Sequence, residues 1–280
     1  MKQISTLKTI VPIIITLAIV ACSKNDTAVN NHQVIDLADL TADYIAQDGD
    51  ILTGKLDFTN HFIKISIADR ATVTLNGVTI MPIKEDMVNT NFKWAGLNCL
   101  GDATILLNGK KNTITGIHYN YPSIHIPAGK TLTISGSDSL EIRNYGYGAG
   151  IGGGWGIDCG NIVIKGGIIN VIGGQSAAGI GSGLGSDFGS NCGDITICGG
   201  TVTATGGYFG TGIGCGVQGT CGNITINNDI TRVTATKGEL APYCIGKNGD
   251  NSICGTIMIG GKNYGTDGIT DDTFIYPVTE

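Results

Sequence analysis

Hydrophobic and polar positions alternate along this chain in short runs that glycine pairs interrupt. In "DITICGG", Ile195 and Ile197 point one way and Thr196 the other. In "TVTATGG", Val202 and Ala204 point one way, and Thr201, Thr203 and Thr205 the other. "TGIGCG" adds a third short segment centred on Ile213. Alternation with period two over four to six residues, stopped by glycine, predicts strands and turns. Three such strands cannot bury a face alone, so each unit needs a neighbour like itself.

The units recur. Leu75, Leu107, Ile134, Ile164, Ile197, Ile226 and Ile259 form one apolar column in the sequence. Ile65, Leu97, Ile124, Ile151, Ile180, Ile213 and Ile245 form a second, and the steps in both run from 27 to 33 residues. A period in this range, with three strands per unit, predicts an all-β right-handed parallel β-helix. Seven coils are expected between about residues 65 and 265, with a partial coil before them. Residues 33–55 are expected to cap the N-terminal end, helix or strand left open. Residues 56–280 then form the solenoid, with "DGITDDTFIYPVTE" over its other end.

Repetition also disposes of one motif. Gly148, Gly150 and Gly153 match the spacing of a dinucleotide-binding loop. That loop occurs once, between a strand and a helix. Here "GIGGG" at Gly150 returns as "GIGSG" at Gly179 and "GIGCG" at Gly212, and no helical period follows. The glycines are expected at corners with positive φ, or where a side chain would strike the next coil.

Composition narrows the class. Of 280 residues, 41% are hydrophobic and 14% charged, and 45 are glycine. This balance argues against disorder. A formal charge of −6 offers nucleic acid no basic footprint. Near the N-terminus, Lys2 and Lys8 lead into "TIVPIIITLAIVAC", a run that reads as a targeting segment. Its end, Ile19-Val20-Ala21-Cys22, resembles the lipobox of bacterial lipoproteins. That resemblance implies cleavage of residues 1–21 and lipidation of Cys22, with residues 22–32 as the lipidated cysteine and its polar tether. A general secretory signal is the alternative reading. On the lipoprotein reading, the body is anchored at the outer membrane or cell surface.

Nine cysteines are present. Cys159, Cys192, Cys221 and Cys254 share one repeat position. Stacked strands lie about 4.8 Å apart, within the span of a disulfide. Bonding between neighbouring coils and a column of unpaired buried thiols both stay open. No C-x-x-C pair occurs and all four histidines precede residue 126, so no metal or other cofactor is expected.

"YPSIHIPAGKTLTI", "GYGAGIGGG", "CGNIVIKGG", "GGTVTATGG" and "RVTATKG" resemble Gly-rich repeat β-helix lipoproteins of gut Gram-negative bacteria, with a pectate-lyase-like fold. Relatives of that kind imply carbohydrate binding, and no catalytic motif carries over. The acids of the middle coils, Asp158, Asp187, Asp194, Asp229 and Glu239, do not align in a way that pairs two carboxylates for hydrolysis. The enzyme alternative, a polysaccharide lyase or glycoside hydrolase, therefore rests on fold analogy alone. A non-catalytic scaffold or protein-interaction surface is the other alternative.

The preferred expectation is an extracellular glycan as partner. Tyr121, Tyr147, Phe209 and Tyr243 precede the "GIG" strand at similar distances, with Ser176 breaking the series. They predict an aromatic ridge at one corner. Beside it, the outward residues of the middle strand are polar: Glu141, Arg143, Asn170, Thr203, Arg232 and Thr234. Ring faces for stacking on sugars, next to groups that bond hydroxyls, make a ligand surface. A ladder of rings that only seals the corner is the competing reading.

Overall fold

The period-two segments become strands of two to six residues, and stacking completes what each lacks. The computed structural model describes residues 32–56, 63–81, 93–185 and 190–277. The leader, Cys22 and the tether up to residue 31 lie outside these residues, as does Asp187. Three long sheets run along the solenoid, of ten, eight and nine strands, and a small three-stranded sheet fills one corner. Neighbouring strands are parallel except at the C-terminal end. The single helical element among the described residues is the 3-10 turn Leu37–Asp39.

The protein is thus an all-β parallel β-solenoid of about six turns. The expected seventh turn does not close. Its strands Ile245–Gly246 and Ile257–Ile259 are followed by a reversal, and Lys262–Asn263 pairs antiparallel with the second of them. Gly268–Ile269 and Thr273–Tyr276 also run antiparallel, against Ile245–Gly246 and Arg232–Thr236. These reversed strands cover edges that would otherwise be free to pair with another chain. At the other end, Val34–Asp36, Tyr44–Ala46, Ile51–Thr53 and Lys55–Leu56 start the three sheets, so residues 33–55 are built from short strands with the 3-10 turn between the first two.

The second column stacks as the sequence suggests. Leu97, Ile124, Ile151, Ile180, Ile213 and Ile245 are successive register partners, all fully buried. The first column holds from Ile134 to Ile259. Earlier it shifts by two residues. Leu107 lies beside Gly136, and Ile105 is the partner of Ile134. An even shift keeps every side chain on its own face, so both alignments satisfy the alternation and only the turn length decides.

Glycine has a steric reason at the "GIG" strand. Gly181 and Gly214 sit at φ +136° and +130°. A Cβ on Gly181 would run into the carbonyl oxygen of Gly214 in the next coil. No helix follows Gly153, so the dinucleotide motif has no structural counterpart here.

In the corner column, Cys159 and Cys192 form a disulfide between neighbouring coils, with Cα atoms 4.5 Å apart. Cys221 and Cys254 continue the column as buried free thiols. The two alternatives left open by the sequence therefore both occur, in successive pairs of one column.

Candidate functional site

The candidate site lies along the outward ridge of one coil. Along "LEIRNYGY", Leu140, Ile142, Asn144 and Gly146 are buried. Glu141, Arg143, Tyr145 and Tyr147 lie between them, more exposed. Glu141 and Arg143 belong to strand Ser139–Arg143 of the eight-stranded sheet. Tyr145 and Tyr147 continue the alternation around the corner beyond its end. Buried Asn144 pins this corner. Its Nδ2 donates to the Tyr121 carbonyl at 2.8 Å, and its Oδ1 accepts from the Gly146 N–H at 2.8 Å. Ser123, also buried, donates through Oγ to the Arg143 carbonyl at 2.8 Å.

Two open clefts flank the ridge. The first, of about 260 Å³, lies over the sheet and includes Thr113, Thr115, Glu141, Arg143, Tyr145 and Asn170 in its walls. Lys111 Nζ pairs with Glu141 Oε1 at 2.7 Å. The Arg143 guanidinium lies over the Tyr145 ring, 5.1 Å from its centre. Both contacts are near solvent, so they orient these groups more than they stabilise the fold.

The second cleft, of about 470 Å³, opens at the corner and is lined by Lys93, His118, Tyr119, Asn120, Tyr121, Trp155 and Ile157. Tyr147 stands beside it. Its ring centre is 6.2 Å from that of Tyr119 and 5.4 Å from that of Trp155. Tyr119 and Trp155 each keep 42% of their surface exposed. Glycine makes this closeness possible, because a Cβ on Gly146 would strike the Tyr119 backbone. The Trp155 N–H donates to the Asn120 carbonyl at 2.7 Å, which ties its loop to the preceding coil. Tyr121 meets the buried His118 edge-on at 5.2 Å, and His118 Nδ1 accepts from the Asn120 N–H at 3.0 Å.

The four aromatics expected to form one ridge are divided. Tyr121 and Tyr147 belong to the corner cluster just described. Phe209 pairs with Tyr208 at 4.8 Å. Tyr243 is half-buried in the last coil, beside Gly268. Among the described residues no ring contact joins Tyr147 to Phe209 or Phe209 to Tyr243. The break falls at Ser176, which is buried, and the exposed residue beside it is Gln175. Backbone bonds run from Gln175 N–H to the Gly146 carbonyl and from Phe209 N–H to the Gln175 carbonyl, at 2.7 and 2.9 Å. An exposed amide side chain therefore stands between the two aromatic clusters.

Glu141, Asn170, Thr203 and Thr234 form one row across four coils. Arg232 belongs to the row of Ile168 and Thr201. Of the expected polar residues, Glu141, Arg143 and Asn170 line the sheet cleft. Thr203, Thr234 and Arg232 continue the same face beyond it. Tyr119, Tyr145 and Trp155 were not anticipated. The alternation from Glu141 onwards would have given Tyr145, since it stands two residues past Arg143.

The arrangement offers half-exposed ring faces next to amide, hydroxyl and charged groups. Among the described residues, no group of three or more His, Cys, Asp or Glu side chains is placed to hold a metal ion. No family model, curated protein or solved structure matches this chain.

Proposed function

We propose that this chain is a cell-surface lipoprotein whose solenoid binds an extracellular glycan without acting on it. The observation that carries the reading is the cluster of Tyr119, Tyr147 and Trp155 at the corner cleft. Two of its rings are exposed to solvent, although aromatic side chains normally bury most of their surface. A sugar ring stacked on Trp155 or Tyr119 would replace water over apolar carbon. Lys93, Asn120 and Tyr121 stand ready to bond its hydroxyls. Further units of an extended chain would follow the ridge to Arg143 and Glu141. The shape favours a polymer over a small ligand, because both clefts are open. The lipobox ending in Cys22 gives the cell-surface part of the reading.

A glycan array probed with residues 23–280 tests it. Binding should be present in the native sequence and lost in Trp155→Ala with Tyr119→Ala, at unchanged melting temperature. Retained binding in that variant moves the site elsewhere. No binding to any glycan leaves the scaffold alternative in its place.

A further inference from the structure

Three free thiols meet next to the disulfide-bonded pair. Cys221 and Cys254 are register partners in neighbouring coils. Cys215 precedes Cys221 by six residues, and the chain turns so that their Sγ atoms lie 2.8 Å apart. Cys215 is fully buried, and Cys221 and Cys254 keep 5% of their surface each. The three sulfurs are electrostatically unequal. Burial pushes the Cys215 thiol well up, and the contact with Cys215 raises that of Cys221. Cys254 is held below the usual thiol range by its contacts with Cys215 and then Cys221.

Cys221 has two bonding partners and can use one at a time. Strand neighbours in register lie within the reach of a disulfide, as the equivalent pair Cys159 and Cys192 demonstrates. The Cys215 sulfur reaches Cys221 from the same coil. We propose that Cys221 is the shared sulfur of a thiol–disulfide exchange site, bonding either to Cys215 within its own coil or to Cys254 of the next coil.

The chemistry takes a disulfide of the glutathione type, R–S–S–R, as oxidant. The Cys254 thiolate attacks one of its sulfurs, the S–S bond breaks and RS⁻ leaves. Cys221 then gives its proton to RS⁻ and attacks the Cys254 sulfur, which expels the second RS⁻. Two protein thiols have been oxidised and one reagent disulfide reduced to two thiols. Cys215 next attacks Cys221, passing its proton to the departing Cys254 thiolate or to solvent. A leaving thiol of low pKa departs faster, so Cys254 suits this step. The two bonds have different mechanical consequences. Cys221–Cys254 ties two coils together, while Cys215–Cys221 closes only a turn within one coil. Solenoid coils couple mainly to their neighbours, so the exchange adds or removes a clip between adjacent repeats.

Peptide mapping without reduction tests the proposal, after the protein is reduced, exposed to oxidised glutathione and quenched by alkylation in acid. The native protein should give a mixture of Cys215–Cys221 and Cys221–Cys254 peptides beside Cys159–Cys192. Cys215→Ser should give only Cys221–Cys254, and Cys254→Ser only Cys215–Cys221. Cys221→Ser should leave Cys254 as an unresolved mixed disulfide with glutathione and Cys215 alkylated. A single fixed partner for Cys221 in the native protein overturns the proposal, and so does a Cys215–Cys254 bond in Cys221→Ser. Full alkylation of all three thiols in the oxidised native protein also overturns it. The native mixture decides the matter even where a serine variant folds poorly.

Discussion

Asp194 Oδ1 accepts the backbone N–H of Asn223 at 2.7 Å, from one coil to the next. The relation repeats along the corner. Asn161 Oδ1 accepts from Asp194 N–H at 2.9 Å, and Asn223 Oδ1 from Thr256 N–H at 2.9 Å. These are the residues that follow "CG" in each repeat. Parallel strands end here, and the side chain oxygen supplies the acceptor that the turn lacks. Asp158 does the same for the Asn191 N–H at 2.7 Å. Two acids of the middle coils are thus occupied with backbone, which weakens the case for them as a catalytic pair.

The ladder makes a simple prediction. Asp194→Ala should cost about 1 kcal/mol, the usual net worth of one hydrogen bond. Asp194→Asn keeps the acceptor and should unfold at the same urea concentration as the native protein. Equal loss in both variants would mean that charge, and not the oxygen acceptor, matters at this corner.

Two glycines in left-handed backbone should respond very differently to a methyl group. Gly129 lies at φ +74° with open space around its Cα, so Gly129→Ala should cost about 1–2 kcal/mol from backbone strain alone. Gly181 lies at φ +136° and faces the Gly214 carbonyl, so strain and overpacking add to about 2–6 kcal/mol in Gly181→Ala. Soluble yield and thermal melting of the two variants compare them directly. A Gly181→Ala protein as stable as Gly129→Ala would contradict the close stacking of the "GIG" strands.

The inward columns call for a different measurement. Ile197 is fully buried between Ile164 and Ile226. Ile197→Ala should cost about 2–5 kcal/mol, from lost burial and the cavity left behind. Because coils depend chiefly on adjacent coils, amide exchange should speed up most around residues 162–164 and 224–226. Uniform acceleration over the whole chain would instead indicate one cooperative unit.

The contrast between core and surface explains what the sequence made legible. The Ile124, Ile151, Ile180, Ile213 column could be aligned by eye, because burial permits only apolar residues at those places. Where Gly136 replaces an apolar residue beside Leu107, that guide fails, and nothing in the sequence marks the register shift. The corner cleft was legible only in part. Tyr121 and Tyr147 stand at fixed distances from the "GIG" strand, but Trp155 lies in an irregular loop after it. Its approach to Tyr147 depends on how that loop folds back onto Asn120, which no period encodes.

His125 gives the fold a pH dependence with a definite sign. Its Nε2–H donates to the Asp158 carbonyl of the next coil at 3.1 Å. Burial lowers its pKa. The hydrogen bond opposes this and the nearby Lys64 charge adds to it. The unfolded chain therefore takes up the proton first as pH falls below about 6.5, the ordinary histidine value. Stability from this group is complete above that pH and is lost progressively beneath it, until the folded state titrates too. His125→Gln retains a donor for Asp158 and cannot titrate. The difference in stability between native and variant proteins should shift by a measurable amount between pH 7 and pH 5, with the native protein losing more. A constant difference across that range would remove His125 from the account.

The ridge from Glu141 to Tyr147 yields the last prediction. If an extended glycan follows it, Tyr147 and Arg143 contact different sugar units of the same chain. The Arg143 guanidinium already lies over Tyr145, so Arg143→Ala exposes a ring face and removes a donor fork at once. Binding to a long oligosaccharide should then weaken about 10-fold, roughly the effect of one lost charged hydrogen bond. Binding to a disaccharide that occupies only the corner cleft should stay the same. Trp155→Ala should weaken both ligands alike. Calorimetric titration of the two ligands against the two variants separates these cases. Equal losses for both ligands in Arg143→Ala would show that the sheet cleft is not part of the path, and would confine the ligand to the corner of Tyr119, Tyr147 and Trp155.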